Sequence, residues 1–97
     1  MNNWLTDEVK DLFRVIARLE TEDECRVFFE DVCTVREIQE IAQRLKVARL
    51  LEQKCSYSEI NRETGVSTAT ISRVSRCLDY GSGGYRMVLR REGEEDA

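Results

Sequence analysis

Apolar positions along this chain recur at helical spacing almost throughout, and no stretch alternates with period two for long enough to make a strand. The pattern predicts an all-α fold of six helices, with no sheet. Trp4 to Glu20 reads as the first, its apolar side carrying Leu5, Val9, Leu12, Phe13, Ile16 and Leu19. Thr21 followed by Glu24 is a capping box, in which a hydroxyl accepts from the amide three residues on and a carboxylate reaches back. It opens a second helix bearing Cys25, Phe28, Phe29 and Val32. Thr34 and Glu37 repeat the device before a third, longer helix running to about Lys54, with Ile38, Ile41, Ala42, Leu45, Ala48 and Leu51 or Leu50 as its stripe. Two shorter helices follow, then a glycine-rich linker from Tyr80 to Gly84 and a last short helix from Tyr85 to Arg91. Trp4, Phe13, Phe28 and Phe29 read as core residues, closed either within one chain or across two.

The two shorter helices, Ser56 to Leu78, form the most specific stretch. Ser56 and Glu59 make a third capping box, so a helix starts near Tyr57. Gly65 stands where that helix needs a left-handed residue to end, a conformation glycine enters without a Cβ penalty. Ser67 then caps a second helix whose Ile71, Val74 and Leu78 fall on one buried stripe, with Ile60 and Val66 as the partner surface. This is the pattern of a helix-turn-helix. Placing Ile71 inward turns Ala69, Ser72, Arg73 and Arg76 outward and leaves Thr68 and Thr70 on the exposed first turn, the part of a recognition helix that meets base edges. Methyls of threonine and alanine pack on thymine methyls, hydroxyls bond to either base type, and arginine grips guanine or phosphate with two prongs. The DNA-binding set is therefore Ser58, Ser67, Thr68, Ala69, Thr70, Ser72, Arg73 and Arg76, with Ser58 and Arg76 on or near phosphate. One residue fits less well. Asn61 falls where the two helices cross and a small residue is usual, so either the crossing is wider or the amide points outward.

The net charge of −4 argues against a nucleic-acid partner until its distribution is considered. Residues 1–33 hold nine acids against four bases, residues 34–91 hold eleven bases against six acids, and Glu92 to Ala97 adds four more acids. Local potential steers a polyanion, and the middle segment is the positive one. At 97 residues the chain is one domain, residues 1–91, with an acidic flexible tail at 92–97 and a core that a second copy would help to complete. Four scattered cysteines and no histidine leave no metal site to be read from spacing. Without histidine, and with no nucleophile beside a base, an enzyme is not expected, nor is any cofactor. No signal peptide or transmembrane run is present, so cytoplasmic localisation with reduced thiols and no membrane partner is the expectation.

From Thr34 to Leu78 the chain resembles the tryptophan repressor family and, more closely, its YerC/YecD-like branch. The resemblance is carried by CTVREIQEIAQRLKVARLL, by SYSE, by GVSTATISR and by the GSGGY linker, and it covers about Phe28 to Leu89. It implies an intertwined homodimer whose outer helices share a core and whose helix-turn-helix units project as reading heads. It also implies an effector site between core and reading head, where the family's ligand-side arginines match Arg44 and Arg73 and its threonine matches Thr34. Two positions depart from the family pattern. The glycine beside the tryptophan ring matches Val74, and the serine near the ligand's amino group matches Cys77. A small-molecule effector at Thr34, Arg44, Arg73 and Cys77 is thus implied, but tryptophan is a poor fit.

The reading is a bacterial transcription regulator that binds double-stranded operator DNA as a homodimer. The rival is a non-catalytic interaction module that docks the same hairpin on another protein. A third reading is a thiol redox sensor, for which Cys77 on the recognition helix is the only argument.

Overall fold

A computed structural model of the chain describes residues 3–96, and Met1, Asn2 and Ala97 lie outside the description. Six helices and no strand occur among the described residues: α1 (Asp7–Ile16), α2 (Glu22–Val32), α3 (Val35–Glu52), α4 (Tyr57–Thr64), α5 (Thr68–Tyr80) and α6 (Gly84–Asp96). They fall into two compact units with the boundary at Ile38 and Gln39.

In the N-terminal unit, α1 is shorter than its apolar stripe predicts. Thr6 sits at the N-cap, its Oγ1 accepting from the Val9 amide at 3.3 Å, so Trp4 and Leu5 precede the helix. At the other end the amides of Arg18 and Leu19 turn to the carbonyls of Val15 and Ile16, both at 3.1 Å. These three-residue bonds tighten and close the helix. Glu20 then belongs to the next element: its amide donates to the Glu24 carboxylate at 2.8 Å, while Thr21 Oγ1 accepts from the Glu24 amide at 3.0 Å. The box before α3 is fully reciprocal, with Thr34 Oγ1 and the Glu37 carboxylate each taking the other's amide at 3.1 and 2.8 Å. Hydrogen bonding to the carboxylate, from the Thr34 amide first and the Thr34 side chain second, holds the Glu37 carboxyl below its ordinary value.

No residue of α1 or α2 is buried. The rings expected in a core stack in pairs, Trp4 on Phe13 and Phe28 on Phe29, both edge to face. Trp4 stays 58% exposed and Phe13 48%, because ten- and eleven-residue helices supply too little surface to enclose them.

The closed core lies in the C-terminal unit. Val47, Ala48 and Leu50 of α3 pack with Ile60, Val66, Ile71, Val74 and Leu78, while Leu51, Cys55, Tyr85 and Leu89 ring the cluster. Fully burying side chains such as Ile60, Ile71, Val47 and Val74 stabilises by about 1.5–3 kcal/mol each. The inward set of α4 and α5 is as the spacing predicts. The stripe of α3 is borne out only at its C-terminal end: Ala48 and Leu50 are buried and Leu51 packs on the cluster, but Val47, outside the stripe, is fully buried, whereas Ile41 and Ala42 are exposed. This helix carries two apolar faces, and the α4–α5 hairpin covers the one bearing Val47 and Leu50.

The third helix stops at Glu52, two residues early, in a Schellman motif. The Cys55 amide donates to the Leu50 carbonyl at 3.1 Å and the Lys54 amide to Leu51 at 3.0 Å, with Lys54 at φ 66° where glycine is usual. The last helix departs in the opposite sense. Instead of ending at Arg91 it continues through Asp96, so the acidic residues 92–96 extend α6 where a tail was expected. Arg49 on α3 holds it, with Nε donating to Glu92 Oε2 at 2.9 Å and Nη2 to Oε1 at 2.7 Å. Arg86 adds a second tie, Nε to the Leu78 carbonyl at 2.8 Å and Nη1 to Glu52 at 2.6 Å.

The bonds from Arg49 lower the Glu92 pKa below its ordinary value. A depressed carboxyl contributes stability that is complete above the unfolded glutamate pKa and is lost as pH falls through the folded one. Glu92→Gln should therefore flatten the acid side of the melting-temperature profile and leave its neutral-to-alkaline side parallel. An acid limb as steep as that of the parent protein would show that this pair carries no acid sensitivity.

Candidate nucleic-acid interface

The hairpin of α4 and α5 is built by caps at three points. Ser56 Oγ accepts from the Glu59 amide at 3.2 Å, and Ser67 Oγ accepts from the Thr70 amide at 3.3 Å. Between them Gly65 takes φ 73°, its amide donating to the Asn61 carbonyl at 2.8 Å. Asn61 itself is exposed, and its amide group points neither into the crossing nor to solvent alone: Nδ2 donates to the Val66 carbonyl at 2.8 Å. The far end of α5 is set by Gly81, where a Cβ would collide with the Cys77 carbonyl.

With Ile71, Val74 and Leu78 buried, α5 presents Thr68, Ala69, Arg73 and Arg76 on its exposed surface, alongside the exposed cap Ser67. Ser58 is exposed on α4. Two residues are less free than the helical wheel predicts. Thr70 and Ser72 are half-buried, and Thr70 Oγ1 accepts from Ser67 Oγ at 3.2 Å, so its hydroxyl already serves the cap.

Charge pairing separates the arginines. Arg49, Arg86 and Arg90 form ion pairs with Glu92, Glu52 and Glu94, but among the described residues no ion pair engages Arg44, Arg73 or Arg76. Arg44 and Arg73 line one cleft of about 380 Å³ together with Glu40, Gln43, Val66, Ser67 and Thr70. Arg44 also borders a groove of about 530 Å³, lined by Ile41, Leu45, Cys77, Tyr85 and Val88. The implied effector residues thus divide: Arg44 with Arg73 in one hollow, Arg44 with Cys77 in the other. Thr34 belongs to the N-terminal unit, where it caps α3. Gln43, one residue before Arg44, shares the cleft, and no motif in the sequence points to it.

Cys25, Cys33, Cys55 and Cys77 are free thiols. No group of three or more His, Cys, Asp or Glu side chains among the described residues is placed to hold a metal ion. No helix of the described chain is long and apolar enough to cross a membrane.

Six helices arranged this way define an all-α protein of Trp-repressor-like fold. The chain belongs to the Trp repressor protein family, whose model matches residues 7–93. It is 52% identical over 89 residues to the uncharacterized protein YerC of Bacillus subtilis (strain 168), a match spanning 92% of this chain and 86% of YerC. Among solved structures it resembles a TrpR-like protein of Eubacterium eligens ATCC 27750, with 49% identity and a TM-score of 0.90 over 95% of this chain and 96% of that one. A Staphylococcus aureus structure is similar at 46% identity and a TM-score of 0.86, covering 91% of this chain and 88% of its own.

Proposed function

We propose that the protein is a cytoplasmic, sequence-specific DNA-binding regulator that acts as a homodimer through a helix-turn-helix, with α5 as its recognition helix. The observation that carries this reading is the outward face of α5. Thr68, Ala69, Arg73 and Arg76 stand exposed there, the arginines engage no acid among the described residues, and a stripe of buried apolar side chains fixes the helix from behind. A solvated helix on an acidic protein has no need for uncompensated arginines beside small hydroxylated residues, whereas base edges and phosphates use both. Membership of the Trp repressor family supports the same reading.

The direct test is genomic footprinting followed by titration of the recovered site at several salt concentrations. Phosphate contacts release counterions, so affinity should fall linearly on a log–log plot, with a slope of roughly −0.9 per phosphate neutralised. A protein-docking module would yield no protected site.

Homodimer formation is supported by apolar surface that a single chain leaves uncovered, including Trp4, Phe13, Val32 and Val35, the last 66% exposed. The open groove beside Ile41, Leu45 and Val88 is a further example. Unfolding should accordingly depend on protein concentration, since dissociation and loss of structure are linked by mass action. A concentration-independent melt together with a monomeric mass in solution would overturn the dimer.

A small anion is the effector chemistry we propose for the cleft, because both Arg44 and Arg73 line it, alongside the single carboxylate of Glu40.

A further inference from the structure

Val66 is the residue on which the hairpin turns, and side chains of α4 hold both of its backbone polar groups. Its amide donates to Thr64 Oγ1 at 3.1 Å, and that hydroxyl in turn donates to the Ile60 carbonyl at 2.7 Å. Its carbonyl accepts from Asn61 Nδ2 at 2.8 Å. The valine side chain is buried in the core, so the residue is fixed on three sides. The carbonyl bond is the telling one. The first helical bond of α5 runs from the Ile71 amide to the Ser67 carbonyl at 3.0 Å, which leaves the Val66 carbonyl, one residue earlier, with no helical donor. A carbonyl in that position finds no partner within the helix, and Asn61 supplies one.

We propose that Asn61, acting with Thr64, is a positioning residue for DNA reading: it fixes the direction in which α5 leaves the turn without itself touching DNA. This rests on α5 being the reading helix. Ser67 and the first turn of α5 follow directly on Val66, so movement of that carbonyl moves Thr68, Ala69 and Arg73 together. Hydrogen bonds to base edges weaken steeply outside a narrow range of distance and angle. Diffuse attraction to phosphates does not. Loosening the clamp should therefore degrade discrimination between sequences and spare non-specific attraction. Asn61, out of place for a tight helix crossing, is placed for this bond.

The test uses Asn61→Ala, which removes the donor without adding charge, and Thr64→Val, which keeps the shape and removes both hydroxyl bonds. Dissociation constants are measured for the footprinted site and for an unrelated duplex at one salt concentration, beside thermal midpoints. In the free proteins, amide hydrogen exchange is followed at Gly65, Val66 and Thr70. Each variant should lower the ratio of specific to unrelated affinity by about tenfold, the effect of one hydrogen bond with its partner left unmet. Binding to the unrelated duplex should be unchanged, and exchange at the turn should accelerate. An unchanged ratio, with or without a shifted thermal midpoint, overturns the proposal; if Asn61→Ala reaches it by an equal loss on both duplexes, Asn61 contacts phosphate itself. If the parent protein binds no duplex, it is the DNA reading that has failed. The exchange measurement then decides the clamp alone, and unchanged exchange at the turn in both variants overturns it.

Discussion

Replacing Arg73 with alanine should weaken binding to the specific site by roughly five- to 150-fold, the equivalent of about 1–3 kcal/mol for one lost two-pronged contact. The fold should survive, because Arg73 is exposed and contributes nothing to the cluster of Val47, Ile60, Ile71 and Val74 behind it. Two outcomes distinguish what the guanidinium does. If it reads a base, the loss will be large on the operator and small on unrelated duplex, and the salt slope will hold. If it neutralises a phosphate, the loss will be similar on both and the slope will shrink by about one. Thr70→Ala should also weaken binding, by way of the cap as much as any base, since its hydroxyl is already engaged by Ser67. Full operator affinity in Arg73→Ala would remove α5 from the role of reading helix.

Local chemistry was the legible part of this protein. The caps at Thr21, Thr34, Ser56 and Ser67 and the left-handed Gly65 are each decided within four or five residues, and each is present. What misled was the extension of periodicity past its limits. Leu5 and Leu19 continue the stripe of α1, but Thr6 caps the helix after Leu5, and the Thr21 box takes the Glu20 amide for the next one. A helical wheel cannot see a competing cap. The second apolar face of α3 escaped notice for a different reason: two stripes on one helix give no single moment, so the choice of Val47 over Ile41 for the closed core is made by the hairpin that packs there. The length of α6 depends on partners still farther off. Glu92 pairs with Arg49, 43 residues away, and nothing local to an acidic terminal run announces such a bond. The same holds at the proposed site. The outward residues of α5 were readable from Ile71, Val74 and Leu78, whereas the union of Gln43 and Arg44 with Ser67, Thr70 and Arg73 in one cleft is a tertiary fact.

L-tryptophan should not bind the parent protein in the micromolar range, and Val74→Gly should acquire that binding at a large cost in stability. In the family's site a glycine beside the indole leaves room for the ring. Here that position is Val74, 1% exposed and packed with Val47, Ile60 and Ile71, so its isopropyl group is core. Admitting a ring against it requires displacing close-packed neighbours, typically about 1–3 kcal/mol for inserted bulk and at least tenfold in affinity at the middle of that range. The carboxylate end of a ligand has Arg44 and Arg73 to meet it, since both line one cleft, although the Glu40 carboxylate lines it too. The obstacle that Val74 adds is thus steric and bears on the ring. Removing the side chain deletes buried methyls and places glycine in the middle of α5, together about 2–4 kcal/mol of lost stability. Two measurements then move in opposite directions. The thermal midpoint of Val74→Gly should fall well below that of the parent, and added tryptophan should raise it again, since a ligand that binds only the folded state stabilises it by mass action. Calorimetry should show heat of tryptophan binding in the variant and none in the parent. Micromolar binding by the parent, accompanied by tighter operator affinity, would defeat the steric account, and a destabilised variant that still ignores tryptophan would place the obstacle elsewhere in the site.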